Sequence, residues 1–236
     1  MDEPISNQAY DELADAYASI VDTKPHNAYY DRPAVQSLIP EINNLDILDA
    51  GCGVGTYSEW MIGKGARVVA LDANEKMLAH AKKRNGNRAQ YILANLEKPL
   101  SFFENSSFNG IVSALAITYV KDHLALFKEF NRILRRDGWF VFSTEHPFFS
   151  FSHFGIDNYF ATKEVNCDWK GFGKIVNVKS YYHSLGSITE ALNTTGFDIE
   201  LLREPLPTEE FRLADPQNYK KLCRFPLFIC MRAKKR

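Results

Sequence analysis

Residues 47–56 read Ile-Leu-Asp-Ala-Gly-Cys-Gly-Val-Gly-Thr, a short apolar run that ends on an acid and breaks into three alternating glycines. The pattern predicts a β-strand feeding a tight loop, in which Gly51, Gly53 and Gly55 keep the backbone free of Cβ atoms. A ligand can then press on the chain itself at the mouth of the following helix, where unpaired N–H groups point outward. Residues 68–72, Val-Val-Ala-Leu-Asp, make a second apolar run with an acid at its end. Two strands, a glycine loop between them and the Asp72 carboxylate on the second strand's tip are the parts of a nucleotide-ribose pocket. Spacing decides which nucleotide. A dinucleotide fold needs Gly-x-Gly-x-x-Gly, and its third glycine position falls on Thr56 or Ser58, counted from Gly51 or Gly53. The motif is instead Asp-x-Gly-x-Gly-x-Gly. Asp49 at its head suits a ligand with a cationic amino group and repels a pyrophosphate.

Outward from these strands, apolar runs and helical stripes alternate. Residues 7–20 carry Tyr10, Leu13, Ala14 and Tyr17 on one helical face. Pro33 and Pro40 bracket a second short helix. Tyr57, Trp60 and Met61 mark a helix ending at Gly63 and Gly65; Asn74 is the expected N-cap of the next, with Gly86 its stop. Further strands are expected at 90–94, 111–116 and 139–143, with a helix over 122–135 whose buried side is Leu126, Phe127, Phe130, Ile133 and Leu134. Strand and helix thus alternate from about 45 to 145, which predicts an α/β, doubly wound, mostly parallel sheet. Residues 147–183 lose the helical period and are rich in Phe, Tyr, Gly and Asn, so they are expected to form a lid or small β-insertion. A helix over 187–195 and strands at 197–202 and 225–231 close the chain as an antiparallel edge hairpin. The organisation expected is one domain over 1–236: a helical cap to 40, a core over 41–146, the lid, and closing elements over 184–236.

Composition limits the function. The 236 residues are 45% apolar and 24% charged with a net charge of −1, an ordinary globule without the basic stripe of a nucleic-acid binder. The basic 232–236 tail reads as a solvated end. No apolar stretch is long enough to span a bilayer, and no hydrophobic signal region opens the chain. Cys52, Cys167, Cys223 and Cys230 are scattered without a Cys-x-x-Cys pair, so reduced thiols in a cytoplasmic protein are expected, with no metal site.

Asp49-Ala50-Gly51-Cys52-Gly53-Val54-Gly55 resembles, almost letter for letter, the first motif of the class I S-adenosylmethionine-dependent methyltransferases. The later motifs follow in order, and 203–207 and 219–226 are similar to a subgroup of small methyltransferases without an assigned substrate. The resemblance implies a seven-stranded Rossmann-like sheet and S-adenosyl-L-methionine as cofactor. Asp49 would hold its methionine amino group, and Asp72, followed by Ala73, both ribose hydroxyls. Gly51, Cys52, Gly53 and Gly55 would pack on it, and Met77 would cover the adenine face. Asn95-Leu96 stands where the family has Asp-Leu; the amide oxygen can still accept from the adenine amino group, without a charge. Ala114-Leu115 would offer a backbone carbonyl, and Tyr17 from the first helix would reach the cofactor carboxylate, a role also open to Arg32. Tyr119 lines the expected entrance to the acceptor site.

His146 follows the fifth strand at the edge where open α/β sheets bind ligands, and can serve as general base or simply hold the His-Pro turn. His183, in the lid, is a second candidate. The activity implied is methyl transfer to O, N or C of a small molecule by a monomer or weak homodimer. A nicotinamide oxidoreductase is disfavoured by the glycine spacing and Asp49, and a binding-only relative remains an alternative. A nucleic-acid or protein methyltransferase lacks support, because Ala116-Ile-Thr-Tyr119 stands in place of an Asn-Pro-Pro-Tyr motif.

Overall fold

The computed structural model describes residues 3–236. Its strands are β1 (Asp46–Ala50), β2 (Arg67–Asp72), β3 (Ala89–Leu93), β4 (Phe108–Ala114), β5 (Leu134–Glu145), β6 (Lys163–Trp169), β7 (Val176–Tyr182), β8 (Phe197–Arg203) and β9 (Phe228–Lys235). Its α-helices are α1 (Asn7–Ile20), α2 (Arg32–Leu38), α3 (Thr56–Gly63), α4 (Glu75–Asn85), α5 (His123–Ile133), α6 (Pro147–His153), α7 (Leu185–Thr194), α8 (Glu209–Ala214) and α9 (Pro216–Leu222). Seven strands form one sheet in the order β3-β2-β1-β4-β5-β9-β8, and β6 pairs with β7 in a separate antiparallel hairpin. Neighbouring strands among β1–β5 run parallel, while β9 lies antiparallel between β5 and β8.

Successive side chains of a strand point to opposite faces, and both faces here are apolar, as a sheet covered on two sides requires. Leu48, Ile111, Phe140 and Phe142 face α5 and α7, where Leu126, Phe127, Phe130, Ile188 and Leu192 complete one core layer. Their neighbours Ile47, Val112, Trp139 and Val141 face α2 and α3 through Val35, Leu38 and Met61. Gly110 is required beneath Trp139, since a Cβ there would lie 2.2 Å from the indole. Asn74 caps α4 by accepting from the Met77 N–H at 3.0 Å, and Lys82, Lys83 and Arg84 occupy its last turn, where the helix dipole favours cations.

Three boundaries differ from the expected ones. β4 starts at Phe108 and ends at Ala114, earlier than the apolar run suggests, because the strand runs through an irregularity at Asn109, between the paired Phe108 and Gly110. The Asn109 Oδ1 accepts from the Asp46 N–H and from Arg135 Nη1, both at 3.0 Å, which ties β1, β4 and β5 at their N-terminal ends. β5 begins at Leu134, directly after α5, and passes through Asp137 at φ +61 before Gly138. β9 covers 228–235, so the tail read as solvated is mostly the strand that pairs with β5 and β8.

The 147–183 segment is the short helix α6 followed by the β6–β7 hairpin. The hairpin packs on α1 through Phe172, Val176 and Val178 against Ala9 and Leu13. α8 and α9 were not expected; each is capped by one side chain, Thr208 or Asp215. Among the described residues no helix is long and apolar enough to cross a membrane.

Candidate active site

The C-terminal ends of β1, β2 and β4 open into a cavity of about 1050 Å³, roofed by α1 and walled on one side by the start of α2. Gly51, Cys52, Gly53 and Val54 form its floor. Gly51 has φ +81, and a Cβ there would lie 2.3 Å from the Ala116 Cβ, so the loop passes under the β4 turn only as glycine. Asp72 clasps this loop from the next strand: Oδ2 accepts from the Gly53 N–H at 2.8 Å and Oδ1 from the Asn74 N–H at 2.9 Å. Both oxygens keep a lone pair for a ligand hydroxyl.

Of the residues expected to bind cofactor, Tyr17, Gly51, Cys52, Gly53, Asp72, Ala73, Met77, Asn95, Leu96, Ala114 and Leu115 all line this cavity. Leu115 is held at φ +52 by the Ser143 carbonyl, which accepts from its N–H at 3.0 Å. The Asn95 amide oxygen accepts from the Glu97 N–H at 2.9 Å, so its loop is pre-shaped.

Two expected contacts fall outside the wall. Gly55 caps α3 instead. Asp49 lies beneath the loop, 2% exposed, with Oδ2 accepting from the Ser58 hydroxyl at 2.5 Å. Burial pushes its carboxyl up to about 7, against the Ser58 hydroxyl and with the nearby Asp72 adding to the rise. A position ahead of the first glycine points under the loop rather than over it.

The wall near α2 holds Arg32, named from the sequence for the cofactor carboxylate, beside Asn27, Asp31 and Thr56, which the sequence reading missed. Residues Asn27–Asp31 form one turn of π-helix, which swings Asn27 and Asp31 into the cavity beside Arg32. Asp31 is 2% exposed; Oδ2 accepts from the Tyr57 hydroxyl at 2.7 Å, while Oδ1 has no partner. Burial pushes the Asp31 carboxyl up to about 6, against the Ser143 and Tyr57 hydroxyls and Arg32. Arg32 donates from Nη2 to the Val21 carbonyl at 3.0 Å and leaves buried Nε unpaired. Thr56 Oγ1, at the first turn of α3, is also buried and unpaired. Each such orphan costs about 1–3 kcal/mol, so three on one wall point to a ligand that pairs with them. An acid, a guanidinium and a hydroxyl together complement a zwitterionic amino-acid end. The only signal in the sequence was the Asp31-Arg32 pair ahead of Pro33, which reads equally well as a helix start.

The candidate catalytic residues separate. Tyr119 lines the cavity with its hydroxyl 2.9 Å from that of Tyr10 on α1, and burial raises its pKa. His146 does not enter the crevice. Its Nδ1 accepts from the Phe148 N–H at 3.2 Å, capping α6, and its Nε2–H donates to Glu204 at 2.9 Å. His183 stacks on His123 with ring centres 3.7 Å apart and donates from Nε2 to the Val120 carbonyl at 3.1 Å. Both imidazoles are occupied by the fold.

The methyltransferase domain profile matches residues 48–142, the segment that holds the glycine loop and Asp72. Over this segment the chain is similar to the class I S-adenosylmethionine-dependent methyltransferases. An S-adenosylmethionine dependent methyltransferase from Mesorhizobium loti is 29% identical over 91% of this chain and 100% of that one, with a TM-score of 0.70. A solved chain from Listeria monocytogenes is 25% identical over 87% and 96%, with a TM-score of 0.76. The malonyl-(acyl-carrier protein) O-methyltransferase of Hamiltonella defensa is 37% identical over 44% of this chain, which spans only 39% of that relative's length. The family cofactor is S-adenosylmethionine, and the orphaned Asp31, Arg32 and Thr56 atoms fit its amino-acid end.

Proposed function

We propose that the protein is a methyltransferase acting on a small-molecule acceptor, with Asp31, Arg32 and Thr56 holding the methionine end of the cofactor and Asp72 its ribose. The observation that carries this is the set of three unpaired buried polar atoms on the wall of the 1050 Å³ cavity. S-adenosylmethionine, when bound, supplies a methyl group made electrophilic by its sulfonium. The chain's own residues then bind, orient and exclude water. The glycine loop gives backbone contact, Asp72 fixes the sugar, and Met77 and Leu96 offer apolar cover for the base. α1 closes the site from above, and the hairpin packs behind it. Orientation in such a site supplies much of the rate of a displacement, without an obligatory base. Four free cysteines support a reducing, cytoplasmic setting for this chemistry.

Calorimetric titration with S-adenosylhomocysteine, with NADH as the control ligand, tests the reading. Saturable binding of S-adenosylhomocysteine alone is expected. Binding of NADH alone would remove the proposal and move the search to redox chemistry.

A further inference from the structure

Two tyrosines of the cofactor cavity hold a hydrogen-bond donor that the protein leaves unused. Tyr10, from α1, and Tyr119, from the turn after β4, both line the cavity, and their hydroxyls meet at 2.9 Å. Two facing hydroxyls carry two protons, and only one of them lies in the bond between the oxygens. Among the described residues, no acceptor takes the other. The two rings meet edge to face at 5.6 Å, and Trp169 meets the Tyr10 ring edge to face at 6.2 Å.

The pair stands at the middle of the cavity. Strands β2, β1, β4 and β5 follow one another across the sheet. Asp72 ends β2, while Asp31 heads α2, which packs on β5 and β9. A cofactor held by its ribose at Asp72 and its amino group at Asp31 crosses the tips of β1 and β4. Its sulfonium, bonded to both of those parts, lies between them. Tyr119 leaves the β4 tip there, and Tyr10 meets it from the roof.

The cavity offers no proton acceptor for the transfer. Its lining carboxylates, Asp31 and Asp72, are matched by the cofactor's amino group and ribose, and the described residues add no third. His146 and His183 lie outside it, each bonded within the fold. Burial raises the Cys52 thiol and the Tyr10, Tyr17, Tyr57 and Tyr119 hydroxyls, so they keep their protons near neutral pH. An alcohol or phenol loses a proton on methylation, and an ammonium before it; a carboxylate has none to lose. A spare donor without a spare carboxylate fits an anion and leaves an ammonium unpaired.

We propose that the Tyr10–Tyr119 pair binds the methyl acceptor and that this acceptor is a carboxylate. The assignment rests on the methyltransferase reading above. The hydroxyl proton that the protein leaves free is donated to one carboxylate oxygen. A lone pair of the other oxygen forms the O–CH3 bond as the S–CH3 bond breaks, and the electron pair of that bond stays on sulfur. A carboxylate and a sulfonium become a neutral methyl ester and a neutral thioether, and no proton moves.

The binding probe is benzoate, titrated into protein saturated with S-adenosylhomocysteine, with benzylamine and benzyl alcohol as matched controls. Saturable binding of benzoate alone is expected. It should weaken by about tenfold or more in the double variant Tyr10→Phe, Tyr119→Phe, with S-adenosylhomocysteine affinity kept as the sign of a folded chain. The wild type alone carries a second readout. S-adenosylmethionine labelled in its methyl group is incubated with the protein and a metabolite extract, and the product is treated with mild alkali. An ester gives up its label as volatile methanol, whereas methylated amines, ethers and carbon centres keep it; volatile label is expected. Alkali-stable label, no benzoate binding to the loaded wild type, binding of either control in its place, or undiminished benzoate affinity in the double variant overturns the proposal. Failure of S-adenosylhomocysteine itself to bind would instead overturn the cofactor reading.

Discussion

Asp31 gives one carboxylate oxygen to Tyr57 and leaves the other without a partner, at a position where burial already disfavours its charge. A cationic amino group is the partner that restores that charge. Asp31→Asn is therefore expected to weaken S-adenosylhomocysteine by about tenfold or more, the worth of a charge-assisted buried hydrogen bond. The wild-type affinity should rise with pH through about 6, where Asp31 loses its proton, and the variant should stay flat; calorimetry across pH reads both. At this scale legibility was uneven. Gly51, Asp72 and Asn74 could be placed from the sequence because each stands at a set offset from a strand end. Asp31 could not, because its role depends on one π-helical turn and on burial by Tyr57, contacts that do not repeat along a chain. Asp49 was misplaced for a related reason: a strand's last residues alternate above and below the sheet, and its side chain points under the loop.

The 3-10 turn Ile117–Tyr119 joins β4 to α5 and carries the Tyr119 ring into the cavity. Two stacked imidazoles hold it: His123 donates to the Ile117 carbonyl at 2.9 Å and His183 to that of Val120. Burial pushes His123 down to about 3, with His183 beside it adding to the fall. Its unfolded value is about 6.5, so between those limits the unfolded chain binds the proton first. The contribution is fully present above about pH 6.5 and is lost as pH falls toward 3. The Tm of the wild type should drop on acidification from pH 7 to about 4.5, and His123→Phe should flatten that limb. A wild type and variant with parallel Tm profiles would remove the imidazole pair as the cause. The long elements were readable from apolar period, whereas α6, α8 and α9 were not. Each is seven residues or fewer and rests on a single cap, His146, Thr208 or Asp215, which leaves no period to detect.

Across the whole molecule, the cofactor cavity lies between the sheet and α1, and α1 is braced by a distant part of the chain, the β6–β7 hairpin. α1 supplies Tyr10 and Tyr17, and the hairpin supplies Trp169 and Phe172. Tyr17 stacks on Phe172 at 5.7 Å, Trp169 stacks on Phe172 at 5.7 Å, and Lys24 Nζ sits 3.5 Å over the Phe172 ring. The clasp holds α1 down over the cavity, and roof movements of this kind gate ligand exchange. Trp169→Ala removes its ring contacts with Phe172 and, at 6.2 Å, with Tyr10, worth about 0.5–1.5 kcal/mol each. Release of S-adenosylhomocysteine, followed by stopped-flow displacement, should quicken by about tenfold; an unchanged rate would assign the gate elsewhere. The strand–helix alternation announced the sheet and its hairpin ending, but the partnership of α1 with residues 169–178 joins segments too far apart for local pattern to reveal.

The strand order also sets a timetable for synthesis. β5 leaves the ribosome with β4 as its only neighbour, and β8 follows with none, because the strand that bonds to both is β9. From Glu145 until Phe228 has been made, the nascent sheet therefore shows an open apolar edge to every other chain nearby. Protection of that edge during translation, by a chaperone or by the pace of elongation itself, then governs how much enzyme a cell recovers, whatever the finished fold's stability.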